Sequence, residues 1–323
     1  MILSPPRLLA ALLSGLLLLS SSCHTVQIKP RPGKKLAAGE FEWEPRRSTS
    51  GPVLIVVSLD DQASYVYRNG TQIGRSTITL AQDGGSSPTG VFTIPPRHEA
   101  TASDAPWTGT ALLTGDLPAD RGTLQGVRLP LAFSEKLFDA TAVGATVVIT
   151  RKNTAPTQSA RPASVLLSSD VQMRPEDVAG EGEFWDPALS EDGPVALVLS
   201  VEDRTIYVYR GGMLIGKSGV TILPGQDSGA QSAVFLMLEG ELPGESEFVP
   251  GVKQRPWAVL SLDGGAQLTD PVAELRKRLQ VPKAFTKKVY PLLQPGTLLI
   301  VTRQSLAPKN RTGADFAIFG PGE

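Results

Sequence analysis

The sequence predicts a mainly β protein: two tandem copies of one β-rich domain, each with one short helix, following an export signal and a tether. Two observations carry this. First, residues 51–76, "GPVLIVVSLDDQASYVYRNGTQIGRS", align without a gap against residues 193–218, "GPVALVLSVEDRTIYVYRGGMLIGKS". The match extends outward: "WEP" at Trp43 recurs as "WDP" at Trp185, and "LPLAFSEKLFDATAVGATVVITR" (129–151) is answered by "VPKAFTKKVYPLLQPGTLLIVTR" (281–303). Self-similarity at this scale marks a duplicated structural unit. Second, each copy is a series of short β-branched and aromatic runs punctuated by turn residues, the pattern of strands rather than of amphipathic helices.

The elements follow in order. Arg7, the apolar run from Leu8 to Leu19 and then "SSSC" have the layout of a secretory signal over residues 1–22. A dozen apolar residues are too few to span a hydrocarbon layer, which needs about 20. Small residues directly before Cys23, the single cysteine of the chain, resemble a bacterial lipobox, with the leucine one place further out than usual. Lipidation of Cys23 would then tie the chain to a membrane. Residues 23–42, rich in Pro, Gly and Lys without apolar periodicity, read as a flexible tether. Lys29, Arg31, Lys34 and Lys35 read as solubilising charges with at most a weak pull towards anionic headgroups.

The first domain is expected over 43–151 and the second over 185–303. Within them, 53–58 and 65–68, with 195–200 and 207–210, read as strands separated by "DDQ" or "EDR". Asn69-Gly70 and Gly211-Gly212 read as two-residue hairpin turns, because these residues tolerate positive φ. A third strand follows, 91–94 makes a fourth, 132–140 has the apolar spacing of a short helix, and 145–150 closes the copy as a β run. Residues 152–184 read as a solvated linker ending in a run of acids, and 304–323 as a tail.

Composition excludes several functions. The formal net charge of -1 gives no global attraction to nucleic acid. One cysteine and two histidines, His24 and His98, leave little from which to build a zinc site, and no cofactor is expected. "GGMLIGKS" (211–218) fits a phosphate-loop pattern, but "GVTILPG" after it favours a strand over the helix such a loop needs, so no nucleotide partner is expected.

Residues 52–150 carry "SPTGVFTI", then "ALLTGDLPADRGTLQGVRLPLAFSEKLF", and close on "VGATVVIT". In this they resemble the L,D-transpeptidase family, the YkuD domain, and the second copy resembles it more faintly. The resemblance implies a β-rich, sandwich-like fold and a role in peptidoglycan cross-linking. The family's cysteine takes an acyl group from a tetrapeptide stem and passes it to an amine, within the pattern "HAG", a spacer and "SHGCVRLP". Set against that pattern, Leu113 stands at the first His, Thr123 at the Ser, Leu124 at the second His and Gly126 at the Cys, whereas Val127, Arg128, Leu129 and Pro130 are retained.

Acyl transfer through a thioester needs a thiolate and an imidazole nearby to form it. Gly126 has no side chain, and Leu113 and Leu124 carry no protons to exchange. The corresponding stretch of the second copy, "ELRKRLQVP" (274–282), has neither Cys nor His. Thr123 and Ser134 are the nearest hydroxyls and Asp116 and Asp120 the nearest carboxylates, but a rebuilt hydrolase needs base, nucleophile and oxyanion donors together. No catalytic residue is therefore expected. Arg128, Thr123 and His98 remain as ligand-contact candidates, Arg128 because a guanidinium fork suits a carboxylate; tying its own turn to backbone carbonyls is the equally open structural role.

The expectation is a periplasmic, membrane-anchored lipoprotein, with the outer membrane as the expected destination. It would bind peptidoglycan or an envelope protein without catalysing the family reaction. A scaffold or regulator of an active transpeptidase is the alternative, and a working transferase would need an unrecognised nucleophile.

Overall fold

A computed structural model of the chain describes residues 26–27, 35–80, 89–94, 107–114, 127–141, 144–151, 157–159, 182–223, 232–245, 253–262, 275, 277–306 and 316–319. The described residues are mainly β, as expected. After β1 (Val26–Gln27), the first copy contributes β2 (Phe41–Trp43), β3 (Val53–Ser58), β4 (Ala63–Arg68), β5 (Thr71–Thr77), β6 (Thr79–Leu80), β7 (Gly90–Ile94), β8 (Trp107–Thr114), β9 (Val127–Arg128), helix α1 (Leu131–Ala140) and β10 (Ala145–Thr150). Then comes β11 (Thr157–Ser159). The second copy contributes β12 (Phe184–Trp185), β13 (Val195–Ser200), β14 (Thr205–Arg210), β15 (Met213–Gly219), β16 (Thr221–Ile222), β17 (Ala233–Met237), β18 (Leu242–Glu245), β19 (Lys253–Gln254), β20 (Trp257–Ser261), β21 (Leu279–Gln280), helix α2 (Lys283–Val289) and β22 (Leu298–Thr302), and β23 (Phe316–Phe319) follows.

Each copy builds one large mixed sheet. The first runs β2-β5-β4-β3-β10-β7-β8-β23, and the second runs β12-β15-β14-β13-β22-β17-β20-β11-β1. The order is the same position by position, with β3 parallel to β10 (Leu54 opposite Thr146) and β13 parallel to β22 (Ala196 opposite Leu298). Local devices repeat too. Asn69 and Gly70 have φ of 46° and 75°, and Gly211 and Gly212 have 56° and 82°, as their hairpin turns require. Both β4–β5 and β14–β15 carry a register shift at the same place, between Val66 and Tyr67 and between Val208 and Tyr209.

The central strands are buried on both faces, which accounts for their unbroken apolar runs where a half-exposed strand would alternate. Odd-numbered residues of β3 (Val53, Ile55, Val57) face a core shared with Phe133 and Leu137 of α1 and with Val127 of β9. Even-numbered Leu54 and Val56 face a second core, together with Ala196, Val198, Leu236 and Ile300 of the other copy. The second sheet has its own outer core on Phe285 and Val289 of α2. The molecule is therefore layered helix, sheet, sheet, helix, and the middle core belongs to both copies.

Two strands cross between the copies. β11, from the segment read as a linker, pairs with β20 of the second sheet (Gln158 opposite Ala258), and β23, from the segment read as a tail, pairs with β8 of the first (Phe316 opposite Gly109). Each copy thus hands a following strand to the other sheet at the equivalent position, β23 as the edge of the first sheet and β11 between β20 and β1 in the second. Phe319 at the end of β23 is 1% exposed within the first copy's outer core.

The sheet also begins earlier than the sequence suggests, because Phe41 and Glu42, assigned above to the tether, are the first residues of β2. The Phe41 ring lies 5.5 Å from that of Phe133, and Glu42 takes two hydrogen bonds from Arg75, at 2.8 and 2.9 Å. Further towards the N-terminus, Val26 and Gln27 pair with Gln158 and Thr157. The repeated tryptophan closes each copy in the same way: Trp43 stands edge-on to Phe133 and Trp185 edge-on to Phe285, both at 5.6 Å. Gly74 and Gly216 lie beneath these rings, where a Cβ would come within 2.5 and 2.4 Å of an indole carbon.

Candidate functional site

The stretch "VRLP" (127–130) forms a short ribbon leading into a helix. β9 pairs with β6, placing Arg128 opposite Thr79. Leu129 is buried, and Pro130 turns the chain so that its carbonyl accepts from the amides of Phe133 and Ser134 in the first turn of α1. Proline suits this place because its fixed φ needs no further ordering and it has no N–H to leave unpaired. Burial of Phe133 and Leu137 then holds the helix on the sheet. Arg128 is half-buried on this ribbon, on the outer side of the first sheet, away from the other copy.

The second copy repeats the ribbon. β16 pairs with β21, and Gln280 stands opposite Thr221 in the place of Arg128. Gln280 is 2% exposed, and its side-chain nitrogen has no hydrogen-bond partner among the described residues. The same position on the ribbon thus carries a guanidinium in one copy and a neutral amide in the other.

The remaining sequence candidates fall differently. Leu113 lies in β8 with its backbone opposite Val91. His98, Asp116, Asp120, Thr123, Leu124 and Gly126 lie outside the described residues, as does Cys23. Ser134 is buried in α1. The phosphate-loop look-alike forms the Gly211-Gly212 turn and the start of β15, and a strand rather than a helix follows the glycines. Among the described residues no three His, Cys, Asp or Glu side chains gather as a metal site, and no helix is long and apolar enough to cross a membrane.

No protein-family model, no curated protein and no solved structure matches this chain.

A second concave region was not foreseen from the sequence. At one end of the middle core the sheets part into a half-open groove of about 690 Å³. Thr93 and Thr146, opposite each other on β7 and β10, and Thr297 just before β22 line it together with Leu236, all of them buried. Arg68, Asp139 and Glu239 bring charge to it. Asp139 is exposed near the C-terminal end of α1, where the backbone carbonyls add partial negative charge. Glu239 is held across the copy boundary: its amide donates to the Asn69 side-chain oxygen (2.7 Å) and its carboxylate accepts from the Ser50 hydroxyl (2.8 Å). The signal in the sequence was the pair Arg68-Asn69, which becomes Arg210-Gly211 in the other copy.

Proposed function

We propose that this chain is an exported bacterial envelope lipoprotein of L,D-transpeptidase descent that has given up acyl transfer and recognises peptidoglycan through the outer face of its first copy. The observation that supports this most is the pairing of a retained "VRLP" ribbon, with Arg128 on it, with a motif that holds glycine and leucine where a thiolate and imidazoles are needed. A guanidinium at that place can hold a stem-peptide carboxylate by paired hydrogen bonds without transforming it. Gln280, in the same place of the second copy, carries no charge for such a contact, so polymer binding is assigned to the first copy alone.

Co-sedimentation of the mature protein with purified sacculi tests the reading. Binding that falls at least tenfold in Arg128→Gln, which copies the second repeat, is the expected result. If the protein stays in the supernatant at moderate salt, the scaffold reading takes its place, and crosslinking in the envelope would then identify a protein partner. Anchoring through Cys23 is tested separately by inhibiting lipoprotein signal peptidase, which should leave an unprocessed precursor. Unchanged processing would remove the lipid anchor from the proposal.

A further inference from the structure

The groove between the copies has features that a mere seam would lack. In a duplicated molecule, positions that serve only the fold should match between the copies, and around the groove they do not. Arg210 donates to two backbone carbonyls, those of Ser190 (2.5 Å) and Pro187 (2.6 Å), and takes no part in the groove. Arg68, its counterpart, makes one longer bond to the Ser48 carbonyl (3.3 Å) and lines the groove. The next residue diverges as well, since Asn69 fixes the backbone of Glu239 while Gly211 has no side chain with which to do so. Among the described residues, Arg68, Asp139 and Glu239 form no ion pair with one another, although all three line one groove. The apolar filling of the middle core gives way here to the hydroxyls of Thr93 and Thr146, which make no hydrogen bond among the described residues.

These groups call for a ligand carrying both signs of charge and polar atoms between them. The volume lies within the usual range of about 300–1,000 Å³ for small-molecule sites, which favour boundaries between structural units. We propose that the groove binds a short peptide by its two charged ends, with the ammonium beside Asp139 and the carboxylate on Arg68. The C-terminal end of α1 adds to the attraction at the ammonium end, and the threonine hydroxyls serve the peptide groups between. This site is separate from the Arg128 ribbon and does not depend on the transpeptidase resemblance.

The probe is tri-alanine, compared with its N-acetylated and its C-amidated forms. Binding to the whole mature chain, with Cys23 replaced by serine, is followed by amide NMR. Gly51, Gly144, Gly193 and Gly296 line the groove, and their amide signals serve as local reporters. Saturable shifts confined to these amides are expected, with at least tenfold weaker binding for either capped form. Arg68→Ala and Asp139→Asn should each weaken the uncapped peptide at least tenfold. Arg210→Ala should leave it unchanged, and the thermal melt of each variant checks that it is folded. Equal binding of the capped peptides, loss with Arg128→Ala but not Arg68→Ala, or no saturable shift up to about 10 mM peptide would each overturn the proposal.

Discussion

The two hairpins β4–β5 and β14–β15 make the most informative comparison in the molecule. They share strand lengths, register, the shift after Val66 and Val208, and a residue at φ 48° in the preceding turn, Gln62 in one and Arg204 in the other. At the tip their side chains part company: Arg68 lines the groove, whereas Arg210 is spent on the backbone of its own copy. The backbone of the hairpin has stayed alike in the two copies, and this difference in side-chain use falls where one copy meets open space.

The largest test of this comparison concerns the exchanged strand. Phe319→Ala removes a fully buried ring that the last strand inserts into the first copy, and should cost about 3–5 kcal/mol in urea unfolding. A change near zero would mean that β23 does not dock. Next come Gly74→Ala and Gly216→Ala, each of which forces a methyl group against an indole ring and should destabilise by about 1–3 kcal/mol. The two losses should agree within about 0.5 kcal/mol; a wide gap would break the equivalence of the copies. Arg210→Ala should lose about 1–2 kcal/mol by releasing two carbonyls. Arg68→Ala should stay within about 0.5 kcal/mol, measured by the same denaturation.

A pH-dependent contrast separates Asp203 from its counterpart Asp61, which is exposed. Burial alone would raise the Asp203 pKa, but hydrogen bonds from Ser305, the Leu306 amide, Tyr207 and Ser200 outweigh it and hold the carboxyl below its ordinary value. Its stabilising contribution is thus full above the unfolded carboxylate value of about 3.9 and is lost as pH falls through the lower folded value. Asp203→Ala should cost roughly 1 kcal/mol at neutral pH, with the deficit against the parent shrinking below about pH 4, while Asp61→Ala should be nearly silent. A deficit that grew on acidification would reverse the assignment.

Much of the fold could be read in advance. The runs at 53–58 and 145–150 are strands with those bounds, Asn69-Gly70 makes the turn, and α1 starts one residue before the expected helix. β8 escaped notice because "WTGTALLT" mixes threonine and glycine with its apolar residues and follows no clear alternation. β11 and β23 escaped because "TQS" and "FAIF" are strands only through their partners, and a linker or tail carries no mark of the distant edge it will join. The unbroken apolar run at Val53 to Val57 did hold a clue to burial on both faces, which a solvent-backed sheet would not need. As for the sites, Arg128 was singled out through the motif it resembles, and the structure places it on the β6–β9 ribbon. The groove could not be found that way, because Arg68, Asp139 and Glu239 come from parts of the chain that only the packing of the two sheets brings together.

The reciprocal hand-over of β11 and β23 bears on how such a chain is made. Synthesis proceeds from the N-terminus, and ordinary domains fold as they emerge. Here the first sheet lacks its outermost strand until residues 316–319 have been made, after the whole of the second copy. The leading half therefore stays incomplete while its partner is being synthesised, and the two sheets lock together in one late step.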